Sequence, residues 1–213
     1  MTYTNLSTHG IKNVHHIHPK DIVSRDNDKF DFNKDFWMRQ KKPLNILWDE
    51  IHLTANSRKS MSSINMVFSR FIAMGRRIVG FDKRGYGTLT FIAQAERTID
   101  VNIKELASEI RYHKAYWHVD CNECGSSVIA HSEMEQRETC VLCGSWNIER
   151  KGLQIEVKRF KTWNDYINFK CGMRGSFHFQ RYMVNDIENY FKYYDTMQIE
   201  DIWENYLTIS SGK

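Results

Sequence analysis

Two knuckles, Cys121-Asn-Glu-Cys124-Gly and Cys140-Val-Leu-Cys143-Gly, stand fifteen residues apart and constrain this chain more than any other feature. Two C-x-x-C pairs at this spacing supply four soft thiolates, and a tetrahedral zinc ion takes four. The glycine after each second cysteine lets the backbone turn so that amides point at the sulfurs. Ser126–Ile129 and Ser145–Ile148 are short strand candidates, which gives a zinc ribbon over 116–150. A [4Fe–4S] cluster or a redox dithiol fits the same spacing. Four thiolates close the coordination shell, so His131 is not needed and the site is structural, not catalytic. Cys171 lies apart and is expected as a buried thiol.

The rest of the composition agrees with a cytoplasmic globular protein. Of the 213 residues, 41% are hydrophobic and 26% charged, which suits a packed core and excludes a disordered chain. No apolar run approaches the ~18 residues of a membrane span. The N-terminus lacks the basic and apolar regions of a signal peptide. A reducing cytoplasm makes the five cysteines thiols or metal ligands, not disulfides. The net charge of +4 permits a nucleic-acid partner without requiring one.

Lys42–Ile51, K-P-L-N-I-L-W-D-E-I, carries the second informative pattern. Its apolar run reads as a buried strand of a parallel sheet, and it stops at two acids, Asp49 and Glu50. Open α/β sheets bind ligands at such carboxyl ends. Before it, Thr2–Leu6 and Val14–Ile17 are strand candidates. Three histidines near the second, His15, His16 and His18, lack the companions of a metal site. Asp21–Gln40 reads as a solvated loop with a helix near Asn33–Gln40. After the acids, apolar residues from Ser60 to Arg77 recur at helical spacing. Ile78–Gly80 reads as a strand edge, and Thr88–Ala93 as a second buried strand ending at Gln94. Val101–Tyr112 reads as a helix, Tyr116–Val119 as a strand into the first knuckle, and Leu153–Phe160 as an alternating strand. Trp163–Met173 follows, then a helix over Asn185–Tyr194. Strand and helix alternate, which is the doubly wound α/β signature.

These segments resemble the ATPase domain of additional-strand RecA-like DNA motors, the large-terminase and zonula-occludens-toxin-like packaging ATPases of viruses. The matching pieces are T-N-L-S at 4–7, I-L-W-D-E-I-H at 46–52, S-R-K-S at 57–60, the helix ending in G-R-R, T-F-I-A-Q at 90–94, Ile99-Asp100 and Y-Y-D-T at 193–196. The resemblance implies that Asp49 holds Mg²⁺, that Glu50 activates water as the Walker B acid, and that Gln94 reports the γ-phosphate state. Arg58, Arg76, Arg77 and Arg84 become candidates for a finger reaching a neighbouring subunit's ATP in a homo-oligomeric ring. The implied partner is DNA, in the host cytoplasm for a viral protein, with no membrane.

No G-x-x-x-x-G-K-[ST] loop occurs in the sequence, and Tyr86 stands where Gly80-x-x-x-x-Gly85 would need its lysine. The expected fold is therefore an α/β RecA-like P-loop NTPase sheet, N-terminally truncated, with an inserted zinc ribbon. Residues 1–115 form its core, 116–150 the ribbon, and 151–213 complete the core. Its function would be a motor component inactive until a P-loop-bearing partner chain is supplied. The alternative is a non-catalytic zinc-ribbon protein that binds nucleic acid. Its surface would be Lys151, Lys158, Arg159, Lys161, Lys170 and Arg174, interleaved with Phe160, Trp163, Tyr166 and Phe169.

Overall fold

The computed structural model describes residues 1–26, 29–51, 63–83, 85–94, 96, 99, 101–131, 139–185, 189 and 193. The chain divides into two units, Met1–Leu106 with Tyr193–Lys213, and Ala107–Lys192. The first is a mixed α/β unit around a parallel sheet. Its strands are β1 (Thr2–Thr4), β2 (Val14–His16), β5 (Asn45–Trp48) and β8 (Thr88–Phe91), in the order β2-β1-β5-β8. β5 is central and parallel to both neighbours, pairing Thr4 with Leu47 on one side and Phe91 with Trp48 on the other.

Helices α1 (Pro19–Ile22), α2 (Lys34–Arg39), α3 (Ser63–Ala73) and α4 (Gly75–Val79) surround the sheet. The fit is aromatic. Trp48 of β5 meets Phe68 of α3 edge-on at 5.0 Å, and Trp37 of α2 meets Phe71 at 5.5 Å. All four rings are buried, and Leu44, Ile46 and Ile51 extend the same core along β5. Burying each such side chain contributes roughly 1.5–3 kcal/mol. Lys42 braces the entry to β5 by donating its ammonium to the Trp37 and Ile78 carbonyls, at the ends of α2 and α4. Burial lowers its pKa.

Two local expectations change here. The polar stretch after Asp21 contains a hairpin, β3 (Val23–Asp26) with β4 (Lys29–Phe32), because Val23 and Phe32 turn into the core. Ile78 and Val79 end helix α4 and are no strand: Ile78 and Gly80 donate to the Met74 and Arg76 carbonyls. A second hairpin, β6 (Phe81–Asp82) with β7 (Gly85–Tyr86), then leads into β8.

Helix α5 (Val101–Leu106) ends the first of the two chain segments of the first unit, and the second unit begins at Ala107. The expected helix over Val101–Tyr112 stops at Leu106, since Ile110 already belongs to a strand. That strand, β9 (Ile110–Cys121), pairs antiparallel with β10 (Ser127–His131) and with the long β11 (Ile148–Phe160). Beyond β11 lies β12 (His178–Asn185), giving the order β10-β9-β11-β12. Helix α6 (Trp163–Lys170) connects β11 to β12, capped by the Thr162 side chain on the Asp165 N–H.

The boundaries expected at 115/116 and 150/151 both fall inside strands of this sheet, β9 and β11. The knuckles therefore stand at the turned end of the long antiparallel sheet of the second unit. Residues 151–185 extend that sheet and do not complete the parallel one. The helix expected over Asn185–Tyr194 lies mostly outside the described residues.

Candidate functional site

The carboxyl edge of the parallel sheet brings together residues far apart in the chain. Pairing continues one step past β5 and β8: Ile92 donates to the Trp48 carbonyl at 2.8 Å and Ile51 to the Ile92 carbonyl at 3.0 Å. This zipping carries Asp49, Glu50 and Gln94 to the same edge. The Gln94 carboxamide donates to Glu50 Oε1, across 44 residues of sequence. Glu50 is buried and sits at φ 51°, the left-handed region that costs a non-glycine residue about 1 kcal/mol or more.

A residue with no role assigned from the sequence shapes this turn. Asn5 follows β1 as Asp49 follows β5. Its Nδ2 donates to the Asp49 carbonyl at 2.9 Å, and its Oδ1 accepts the Asp49 N–H at 2.7 Å. A side-chain amide thus replaces the next rung of the β1–β5 ladder. The Asp49 carboxylate folds back onto the chain, with Oδ1 accepting the Glu50 N–H at 2.9 Å. The Asp49 backbone is held on both sides, and Glu50 takes up the resulting twist. The available signal is a polar amide at a strand end; its partner 44 residues away carries no mark.

The four cysteines of the knuckles converge. All four sulfurs lie within 4.8 Å of one another, with Cys121–Cys143 at 3.6 Å and Cys124–Cys140 at 3.8 Å. A tetrahedral ion with Zn–S bonds of about 2.3 Å spaces its sulfurs about 3.8 Å apart. The two knuckles repeat one backbone pattern. Cys121 N–H donates to the Ser126 carbonyl and Cys140 N–H to that of Ser145, while Gly125 and Gly144 donate back to the two cysteine carbonyls. Those glycines stand at φ 67° and 75°, a conformation that side chains disfavour.

The N–H groups of Cys143 and Leu142 draw the Cys140 thiol down to about 6. The Ser145 N–H favours a thiolate at Cys143, but desolvation and the three neighbouring sulfurs outweigh it and push that thiol up to about 12. Sulfurs this close cannot all ionise unaided. A divalent cation removes the conflict, so the cluster can hold a metal ion such as zinc.

Arg76 and Arg77 do not join the Glu50 edge. Arg76 and Arg77 are exposed on α4, whose Val79 carbonyl accepts the Leu44 N–H at the start of β5. Five residues of extended chain, roughly 16 Å, separate Leu44 from Asp49. Arg58, Arg84 and Asp100 lie outside the described residues. Cys171, expected buried, is exposed after α6. Phe160 and Tyr166 are core residues of the second unit, so they cannot serve as surface rings. Among the described residues no helix is long and apolar enough to cross a membrane.

No protein-family model matches the chain, and no curated protein matches it in sequence. Among solved structures it is similar to the N-terminal domain of zonular occludens toxin from Neisseria meningitidis. That match has a TM-score of 0.44 and 13% identity, and covers 91% of this chain and 79% of the other.

Proposed function

We propose that this chain is a component of a nucleotide-dependent DNA motor of the packaging or translocation type. It contributes the Walker B-like edge of the hydrolytic site. The observation that carries the reading is the Glu50–Gln94 hydrogen bond at the carboxyl edge of adjacent parallel strands. Asp49 would hold the Mg²⁺ of Mg–ATP, since one of its oxygens is engaged by the Glu50 N–H and a carboxylate has a second. Glu50 would orient the attacking water, and Gln94, bonded to it, would couple that carboxylate to the state of the γ-phosphate. The phosphates need a P-loop from another segment or a partner chain. Arg77 or Arg84 would act only across a subunit boundary, in a homo-oligomeric ring. Zinc in the Cys121, Cys124, Cys140 and Cys143 cluster would be structural.

The test is turnover of Mg–ATP. The 213-residue chain should bind ATP weakly and not hydrolyse it. Fusing a P-loop strand and helix ahead of Met1 should bring activity, and Glu50→Gln should then cut turnover about a hundredfold with nucleotide binding retained. Restored activity indifferent to Glu50 would overturn the assignment.

A second reading, a non-catalytic zinc-bearing protein that binds nucleic acid, is favoured by one feature of the second unit. Strand β12 is exposed over nearly its whole length and carries both aromatic and basic side chains.

A further inference from the structure

Strand β12 lies at the edge of its sheet, yet Phe179, Tyr182 and Met183 stand 47%, 50% and 49% exposed. A solvated edge strand has little reason to carry such residues. The register sorts them. Phe179 is the cross-strand partner of Lys158, and Arg181 that of Glu156, so Phe179, Arg181 and Lys158 share one face. Tyr112, opposite Lys158 on β9, belongs to that face too.

Helix α6 packs on this face and brings more of the same chemistry. The Lys158 ammonium lies over the Phe169 ring at 4.8 Å and the Phe177 ring at 5.9 Å. Lys170 lies over Tyr112 at 5.5 Å, and Arg181 over Phe179 at 5.5 Å. The connection from α6 to β12 is tied down: Gly172 and Met173 donate to the Phe169 and Asn168 carbonyls. Phe177 is anchored on Phe160 and Phe169 at 5.6 Å each, with its outer side 39% exposed. Phe177 and Phe179 are thus exposed rings, each beside a cation. Between Arg150 and Arg181 the chain has eight Lys and Arg against two acids. One of those acids, Glu156, already accepts from Arg181.

We propose that this face binds a single-stranded polynucleotide. Phe177 and Phe179 stack bases, while Lys158, Lys170 and Arg181 meet phosphates. Rings paired with cations match the alternation of base and phosphate along a strand. A duplex hides its base faces in its own stack, so exposed rings have nothing to stack on there. A second copy of this chain would set one basic face against another, which like charge opposes. The proposal rests on the nucleic-acid partner common to both functional readings and needs nothing at Glu50.

The test is anisotropy of fluorescein-labelled dT20 with the full chain, between 50 and 200 mM salt. About three phosphate contacts should give a slope of log K on log salt near −2. Phe179→Ala should weaken binding about 5- to 100-fold, with an unchanged melting temperature because the ring is half-exposed. Arg181→Ala should weaken binding and flatten the salt slope. Phe81→Ala, at an exposed ring on the β6–β7 hairpin, should change nothing. Tight dT20 binding untouched by Phe179→Ala and Arg181→Ala would remove this face and leave a nucleic-acid partner standing. A preference for a 20-bp duplex would overturn the single-strand assignment alone. Absence of salt-dependent binding to either probe would remove both the face and the partner. A dimer in light scattering that Phe179→Ala abolishes would assign the face to a second copy and overturn the proposal.

Discussion

The two units assemble their sites in opposite ways. The knuckles draw four ligands from 23 consecutive residues, Cys121 to Cys143. Their geometry is set by two local turns of the same kind. The edge at Glu50 is not set by its local turn alone. It is assembled from Asn5, Asp49 with Glu50, and Gln94, each at the end of a different strand of one sheet. A locally coded site survives anything that spares its turns. A site coded by topology depends on the register of every strand that reaches it.

The largest effect that can break this comparison is loss of the metal. Cys121→Ser should abolish stoichiometric zinc, measured by atomic absorption on purified protein. The binding energy of such an ion, apparent values of about 10–16 kcal/mol, is folding energy for the segment it clamps. Amide exchange should therefore accelerate by orders of magnitude at the knuckles. Strands β1, β5 and β8 should keep their protection, because none of their hydrogen bonds involves the second unit's sheet. Zinc retained in Cys121→Ser/Cys140→Ser would show that the four sulfurs are not the ligands. Equal loss of protection in β5 would show that the two units do not fold independently.

What the sequence disclosed follows the same division. The cysteine spacing named the four residues whose sulfurs converge. The buried strands were legible because Leu44, Ile46 and Trp48 form a short apolar run, and the acids mark where it stops. The sequence ends one buried strand at Asp49 and Glu50 and another at Gln94, but the bond between Glu50 and Gln94 comes from the pairing of β5 with β8. Asn5 was not legible, since one amide at a strand end has many possible partners. The second unit's sheet was hidden for two reasons. Ile103, Leu106 and Ile110 mimic a helical stripe, and only pairing with β11 settles Ile110 as strand. β12 faces solvent on both sides, so no apolar alternation exists to be read.

An intermediate effect tests whether the Glu50 edge is held from a distance. Asn5→Ala removes two half-buried hydrogen bonds to the Asp49 backbone, together about 1–3 kcal/mol. The expected result is a lower melting temperature for the first unit and faster exchange of the Asp49 amide. Zinc content and knuckle protection should not move. Asn5→Asp keeps one acceptor and loses the donor, so it should fall between wild type and alanine. If Asn5→Ala leaves the Asp49 amide as protected as before, the twist at Glu50 is intrinsic to the turn, and the contrast between the two sites weakens.

The smallest effect lies at the end of the second unit away from the cysteines. Glu109 accepts from Arg159 Nε and Nη2 at 3.1 and 2.5 Å, and from Arg111 Nε at 2.5 Å. These bonds tie the start of β9 to the end of β11, 50 residues apart. The Arg159 guanidinium, opposed by partial desolvation and helped by Arg111, holds the Glu109 carboxyl below the usual carboxylate range. A carboxyl whose pKa is depressed on folding stabilises the fold above its unfolded pKa, about 4.3. That contribution disappears as pH falls through the lower folded value. The side chains of Glu109 and Arg159 are 31% and 36% exposed, so screening limits the contribution to about 0.5–1 kcal/mol. Glu109→Gln should lower the melting temperature by a few degrees at pH 7, and the difference should close as the acid limb is reached. Because the tie lies at the other end of β9 from the knuckles, its cost should add to that of Cys121→Ser within about 0.5 kcal/mol. A coupling larger than that would mean the knuckles govern the pairing of β9 and β11 along its whole length, which would make the second unit's site as dependent on register as the first's.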